Sequence, residues 1–154
     1  MEGEPFLDRD WELGWLQGAW ESGTAEFRIL YGRRRVGKSA LLDEFARGKR
    51  CIVYQAVEGT TADQLRDLTS AILACEPDPV LREAPLPNWE AALQQFNRMA
   101  SNGRLLVILD EYQYAAMADR TLASRIQRWW SREAAKLPIC LVLCGSYIRF
   151  FEEN

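Results

Sequence analysis

The residues Gly32 to Ser39 read GRRRVGKS and match the pattern G-x-x-x-x-G-K-[ST]. An apolar run, Phe27 to Tyr31, precedes this stretch, and a helical pattern of apolar residues follows it from Lys38 to about Ala46. Glycines in such a turn let successive backbone N–H groups point at one phosphate, while the positive end of the following helix faces the anion. The stretch therefore predicts a phosphate-binding loop between a strand and a helix.

The loop pattern implies a chemical role for the side chains at its last two positions, Lys38 and Ser39. The Lys38 ammonium would place a positive charge on the β- and γ-phosphates of a nucleotide, which makes Lys38 a predicted catalytic residue as well. The Ser39 hydroxyl is a hard oxygen ligand of the kind that Mg²⁺ prefers. The predicted nucleotide-binding residues are Gly32, Arg33, Arg34, Arg35, Val36, Gly37, Lys38, Ser39 and Ala40.

A second segment, Leu105 to Glu111 (LLVILDE), is an apolar strand that ends in two carboxylates. This is typical of the Walker B pattern, in which Asp110 would bind Mg²⁺ through its water and Glu111 would act as general base on the attacking water. A glutamate directly after the aspartate favours an ATPase over a GTPase or a kinase, and the sequence lacks the N-K-x-D motif that recognises guanine. We therefore expect ATP and Mg²⁺ as ligands, with Ser39 and Asp110 on the metal.

Strand-like and helix-like segments alternate along the chain. Helical patterns follow a cap at Thr60 or Thr61, follow a cap at Asn88 and extend from Thr121 to Lys136. Strands that are apolar on both faces and alternate with helices indicate a parallel sheet covered on both sides, so the predicted fold class is α/β. The predicted strands are Phe27–Tyr31, Cys51–Gln55, Leu105–Leu109 and Ile139–Cys144, and a proline-rich loop spans Pro77–Pro87.

The composition excludes several kinds of site. The chain has 154 residues, a net charge of −3 and no histidine, so a Cys/His zinc site and an imidazole base are ruled out. The four cysteines lack CxxC spacing and are interpreted as buried free thiols. The acidic balance argues against a general nucleic-acid coat. No apolar run is long enough for a membrane span and the acidic N-terminus is no signal peptide, so we expect a cytoplasmic protein without a membrane partner.

Three segments together resemble the archaeal-type ATPases, prokaryotic members of the AAA-like signal-transduction group of P-loop ATPases. They are GRRRVGKS, LDEYQY at 109–114 and LCGSYIRFFE at 143–152. The segment FLDRDWEL at 6–13 resembles the family's F-x-x-R-x-x-E-L motif, which lies beside the adenine in relatives. The resemblance implies a three-layer fold of the class with an additional strand and a catalytic glutamate. It also implies that Ser146 is the sensor 1 residue, which reads the γ-phosphate or the attacking water; a role as helix N-cap is compatible with this.

The resemblance covers almost the whole chain and implies a single domain over 1–154, with an N-terminal helix over 6–20 and a core over 26–154. The family's sheet has the order 5-1-4-3-2, and this sequence ends at Asn154, just after the sensor 1 segment. We therefore expect the order 1-4-3-2, without the fifth strand, the helical lid or a C-terminal domain. The strand Phe27–Tyr31 should then lie at an exposed sheet edge, where a protein partner or a second copy of the chain could bind.

Three functions remain open from the sequence. The first is the ATP-binding domain of an AAA-like ATPase, which hydrolyses ATP to ADP and phosphate in its complete form. The second is a nucleotide-dependent switch with little hydrolysis, because no lid arginine is present to stabilise the charge of the transition state. The third is a DNA-associated ATPase of a mobile element or a defence system. The triplet Arg33-Arg34-Arg35 keeps the third open, although a solvated loop face is the preferred explanation of the triplet and the acidic balance disfavours nucleic acid.

Overall fold

Strands and helices alternate in a computed structural model that describes residues 4–31 and 37–145, with side chains from Asp10 onward. The strands are β1 (Glu26–Tyr31), β2 (Cys51–Gln55), β3 (Leu105–Asp110) and β4 (Ile139–Gly145). The helices are α1 (Glu4–Glu21), α2 (Lys38–Ala46), α3 (Thr61–Cys75), α4 (Pro79–Glu83), α5 (Trp89–Ala100), α6 (Tyr112–Ala118) and α7 (Leu122–Arg132), and a 3₁₀ turn follows at Ala134–Lys136. Within this described part, no helix is both long and apolar enough to cross a bilayer.

The four strands form one parallel sheet in the order β1-β4-β3-β2. Every residue of β3 and β4 is buried, as expected for strands that are apolar on both faces. β1 lies at one edge and pairs only with β4 among the described residues, and its Ile29 and Tyr31 are 46% and 42% exposed. The predicted α/β class and the order 1-4-3-2 are therefore confirmed, and β1 is the edge strand that was predicted as far as the described residues extend.

The pleat of the central strands divides the core into two clusters, one on each face of the sheet. Along β3, Leu105, Val107 and Leu109 point into the larger cluster, which α3, α5, α6 and α7 cover. Leu106 and Ile108 point into the smaller cluster, which α1 and α2 cover. Because successive side chains of a strand point to opposite faces, an uninterrupted apolar run fills both clusters, and the molecule has three layers.

Two of the predicted helix starts are capped as expected. The Thr60 side chain accepts a hydrogen bond from the Asp63 N–H at 3.1 Å, and the Asn88 side chain accepts one from the Ala91 N–H at 2.8 Å. The predicted proline-rich loop differs, because it contains the short helix α4. Asp78 caps α4 by accepting bonds from the N–H groups of Val80 and Leu81, and Pro79 stands in its first turn, where a missing N–H costs nothing.

Two other helices differ from their predicted bounds. The helix predicted over Thr121–Lys136 ends at Arg132, because Glu133 leaves the helical conformation and the chain then tightens into a 3₁₀ turn. The N-terminal helix predicted over 6–20 extends over Glu4–Glu21. The four cysteines are free thiols as predicted, with Cys140 and Cys144 buried and the other two partly buried.

Arg104 fastens the end of α1 to the start of β3. Its guanidinium donates to the carbonyl oxygens of Ala19 and Trp20 at 2.8 Å and to that of Thr24, and it lies 5.0 Å from the centre of the Trp20 ring. These carbonyls belong to the last turn of the helix and its exit, where regular intrahelical bonding ends. A cation there also interacts favourably with the helix dipole.

We expect Arg104→Met to lower the free energy of unfolding by about 2–3 kcal/mol, because several charge-assisted hydrogen bonds to backbone carbonyls and the contact with the Trp20 ring are lost. The matched control is Arg66→Met, because Arg66 is exposed and makes only an ion pair with Asp63 one turn away; its cost should stay below about 0.5 kcal/mol. Urea unfolding followed by circular dichroism measures both. Equal small losses in the two variants would show that Arg104 does not hold α1.

Candidate nucleotide-binding site

The start of α2 meets the carboxyl end of β3. Asp110 is the last residue of β3 and Glu111 follows it, while Lys38 is the first residue of α2. The Lys38 Nζ lies 3.2 Å from Asp110 Oδ1 and 3.1 Å from Glu111 Oε2. Three residues that the sequence predicted for one site are thus brought together, although Lys38 and Glu111 stand 73 positions apart.

These three charges are largely withdrawn from water. The side chains of Lys38, Asp110 and Glu111 are 9%, 8% and 16% exposed. One ammonium between two carboxylates leaves a net negative charge in a region of low dielectric, where Coulomb interactions are stronger than at the surface. Such a group favours the arrival of a cation beside the carboxylates.

The start of α2 is built to receive an anion. Its N-cap is Gly37, in the left-handed conformation with φ 83° and ψ 4°, and no side chain caps the first turn. A residue with a Cβ would be strained at this φ. Because the first turn also carries no acidic side chain, its own side chains do not compete with a phosphate for the N–H groups, and the helix dipole adds to their positive charge. Ser39 and Ala40 lie exposed in this same turn.

Glu111 stands at a sharp turn of the backbone between β3 and α6. Its φ of 52° and ψ of 42° are the only left-handed values at a non-glycine residue among those described. The Glu111 N–H donates to Asp110 Oδ1 at 2.8 Å, which ties the two acids to each other. Strained backbone of this kind concentrates at functional sites, where the surrounding structure maintains it.

Gln113 is a contact residue of this site that the sequence reasoning did not assign. Its Nε2 donates to Glu111 Oε1 at 2.7 Å, and its side chain is buried in the second position of α6. The sequence did place a polar side chain close to Glu111, since Gln113 stands two residues after it in the segment DEYQY. Recognising its contact required the left-handed turn at Glu111, which sequence periodicity does not reveal.

Cys144 lies near the three charged residues from the side of β4. Burial raises the pKa of its thiol well above the usual value, and the negative charge of Asp110 raises it further. The thiol is therefore protonated near neutral pH, a form that is a poor nucleophile.

The oxygen atoms that the predicted metal-binding residues offer are of the kind that Mg²⁺ prefers. The Ser39 hydroxyl and the Asp110 carboxylate are hard oxygen ligands on neighbouring elements. No cluster of three or more histidine, cysteine or acidic residues suited to a metal ion occurs in the described ranges. Mg²⁺ bound with a nucleotide needs only one or two protein oxygens, because the substrate phosphates and water complete its octahedral shell.

Several predicted site residues lie outside the part of the chain that the structure describes. They are Gly32, Arg33, Arg34, Arg35, Val36 and Ser146. The described residues Gly37, Lys38, Ser39 and Ala40 on one side, and Asp110 and Glu111 on the other, form the candidate site.

A three-layer fold with a lysine-bearing helix start facing two acids at the end of a central parallel strand defines a P-loop nucleotide-binding domain. The family model described as "ATPase domain predominantly from Archaea" matches residues 6–154. The chain therefore belongs to this family of ATPase domains.

Two proteins of Methanocaldococcus jannaschii are similar in sequence. The uncharacterized protein MJECL04 is 28% identical over 149 residues, which are 97% of this chain and 31% of that protein. The uncharacterized ATP-binding protein MJ0423 is 44% identical over 45 residues, which are 29% of this chain and 76% of that protein. The chain thus spans about a third of the length of the relative that it matches almost throughout.

Solved structures share the fold. The Walker-type ATPase PABY2304 of Pyrococcus abyssi superposes with a TM-score of 0.68 at 21% identity, over 95% of this chain and 47% of that one. The ORC2 protein of Aeropyrum pernix, in ADPNP and ADP complexes, superposes with a TM-score of 0.57 at 23% identity, over 96% of this chain and 43% of that one. A chain of Drosophila ORC bound to DNA superposes with a TM-score of 0.62 at 11% identity, over 94% of this chain and 39% of that one.

Proposed function

We propose that this domain binds MgATP and hydrolyses it to ADP and phosphate. The observation that carries the proposal is the convergence of Lys38 with Asp110 and Glu111, at 3.2 and 3.1 Å, beside an uncapped helix start. The two carboxylates occupy the hydrogen-bonding positions on Lys38 that phosphate oxygens would take. Family membership and the printed description of MJ0423 as ATP-binding support ATP as the nucleotide.

Each residue of the proposed site has a role that fits the chemistry of its side chain. Lys38 and the backbone N–H groups at the start of α2 would hold the phosphates, and Ser39 with Asp110 would hold Mg²⁺, which supplies neutralisation of phosphate charge when it is bound. The Glu111 carboxylate would accept a proton from the attacking water. Ser146 is proposed as the residue that senses the γ-phosphate, and the loop Gly32–Val36 as the remainder of the phosphate cradle.

Release of inorganic phosphate from ATP by the purified chain tests the hydrolytic part of the proposal. We expect release that requires Mg²⁺ and stops when the metal is chelated. Tight binding of MgATP without any release in a single-turnover experiment would instead identify the domain as a nucleotide-dependent switch. Neither binding nor release at millimolar ATP would contradict the proposal as a whole.

A basic face on α7 favours DNA association as a second candidate function. Arg125, Arg128 and Arg132 recur at spacings of three and four, and so share one side of the helix. With Glu90, Trp129 and Glu133 they line a cleft of about 220 Å³. The stretch 120–136 carries five basic residues and one acidic residue in a chain whose net charge is −3, so positive charge is concentrated there. Phosphate backbones bind such concentrations of arginine.

Changing these three arginines together to glutamine should lower the affinity for duplex DNA about tenfold or more at low salt. It should also make the slope of log affinity against log salt concentration shallower, by an amount that corresponds to up to three phosphate contacts. The matched control changes Arg47, Arg66 and Arg82 to glutamine, because these exposed residues carry the same charge elsewhere on the surface. Fluorescence anisotropy with a labelled duplex measures both variants. Equal losses would show only a general charge effect, and this second function would then be abandoned.

A further inference from the structure

Gln113 holds one oxygen of Glu111 while Lys38 holds the other. Gln113 Nε2 donates to Oε1 at 2.7 Å, and Lys38 Nζ lies 3.1 Å from Oε2. The two donors come from different elements, α6 and α2, so the carboxylate is fixed from two directions. A carboxylate held at both oxygens has a defined orientation, which a single contact would not give.

Packing alone does not explain an amide at position 113. The Gln113 side chain is only 2% exposed, and its Oε1 is buried without a hydrogen-bond partner among the described residues. Burying an unpaired carbonyl oxygen destabilises a fold, whereas an apolar side chain of similar length would avoid that cost. The N–H group of this amide is therefore the part that position 113 needs, and its acceptor is Glu111.

The backbone at Glu111 leaves the orientation of its side chain to these contacts. Its left-handed conformation, φ 52° and ψ 42°, turns the chain out of β3 and places Glu111 at the N-cap of α6 without capping that helix through its side chain. The carboxylate thus makes no capping bond to the backbone N–H groups of that helix. Gln113, one position into the same helix after Tyr112, reaches back to it.

We infer that Gln113 is the positioning residue of Glu111 during ATP hydrolysis, an inference that rests on the proposed function. Phosphates that enter the start of α2 compete with Glu111 for the Lys38 ammonium. Once Lys38 turns to them, Oε2 loses its contact with the ammonium and can accept a proton from water, while Gln113 still holds Oε1. Gln113 acts through Glu111 and does not itself react.

The variant Gln113→Met tests this role, because it keeps length and burial but removes the donor. We expect kcat to fall by between about tenfold and a hundredfold, with KM and the Kd for MgATP unchanged within about twofold. The matched control is Gln95→Met, since Gln95 is another buried glutamine that donates to a carboxylate, Asp78, on elements outside the site. Gln95→Met should leave kcat unchanged even where it lowers the melting temperature.

The variant Gln113→Glu adds a readout that a merely structural role would not move. Its new carboxyl would lie beside Glu111, with Lys38, Asp110 and Cys144 as the other titratable groups near the site in the described part. Ionised, it repels Glu111 and accepts instead of donating; protonated, it donates as the amide does. A neighbouring carboxylate raises the pKa of the new carboxyl, so kcat relative to wild type should rise as the pH falls from about 8 to 6.

The outcomes separate this inference from the proposed function. Wild-type kcat in Gln113→Met, or a rate ratio for Gln113→Glu that does not change with pH, would overturn the inference while hydrolysis stands. Absence of MgATP binding by the wild-type chain would overturn the proposed function. If wild type binds without hydrolysing, a double-mutant cycle of Gln113→Met and Glu111→Gln in urea unfolding decides: coupling of about fivefold or more in the unfolding constant supports the contact, and no coupling refutes it.

Discussion

Replacing Lys38 with alanine is expected to weaken MgATP binding by at least about a hundredfold, or about 2.7 kcal/mol. Lys38 is the buried cation at the start of α2, and its two observed partners are carboxylates that phosphate oxygens would replace. Without the ammonium, the incoming phosphates would meet Asp110 and Glu111 with no intervening positive charge. Isothermal titration calorimetry with ATP and Mg²⁺ measures the change.

Two further variants make the Lys38 result interpretable. Lys136→Ala removes an exposed lysine from the 3₁₀ turn before β4 and should leave the affinity unchanged. Lys38→Arg keeps the charge and satisfies the two carboxylates, so it should fold even where Lys38→Ala, which leaves them uncompensated, is destabilised. A folded Lys38→Ala that binds MgATP as tightly as wild type would refute the placement of the phosphates at α2.

Replacing Glu111 with glutamine is expected to lower kcat by about a hundredfold to ten-thousandfold, while MgATP binding is retained. The substitution preserves the shape of the side chain and removes the carboxylate that would accept the proton of the attacking water. Binding should persist, because the ammonium of Lys38 remains and one nearby negative charge is gone. Phosphate release under single-turnover conditions, together with a binding titration, separates the two effects.

Glu83→Gln is the matched control for this variant, because Glu83 is an exposed acid of α4 that undergoes the same chemical change outside the site. Its kcat should equal that of wild type. If Glu111→Gln hydrolysed ATP at the wild-type rate, Glu111 would not be the general base, and the hydrolytic role of its contact with Gln113 would fail with it.

The parts of the fold that were predictable are those whose pattern is local. The strands were predictable because each is a short apolar run in the sequence. The helix starts at Thr60 and Asn88 were predictable because these side chains can accept hydrogen bonds from N–H groups three positions further along. The meeting of Lys38 with Asp110 and Glu111 was predictable as well, since the carboxyl ends of parallel strands share one edge of the sheet. The strand order came from the family resemblance and not from the residues themselves.

The parts that escaped prediction depend on single backbone conformations or on short elements. α6 has seven residues, YQYAAMA, which is too short for helical periodicity to stand out, and its N-cap Glu111 adopts a left-handed conformation. That turn also brings Gln113 back to the Glu111 carboxylate. α4 could have been found, because Asp78 before Pro79 is an N-cap followed by a proline in the first turn, but four prolines in the segment favoured a loop.

Thermal unfolding of the purified chain with and without MgATP tests the central claim, a nucleotide site between α2 and β3, most directly. At a free concentration a hundred times the Kd, MgATP should stabilise the fold by about 2.7 kcal/mol and raise the melting temperature by roughly 5–11 °C. The rise should be lost in Lys38→Ala and kept in Lys136→Ala. A cooperative transition that millimolar MgATP leaves unmoved in the wild-type chain would contradict the account.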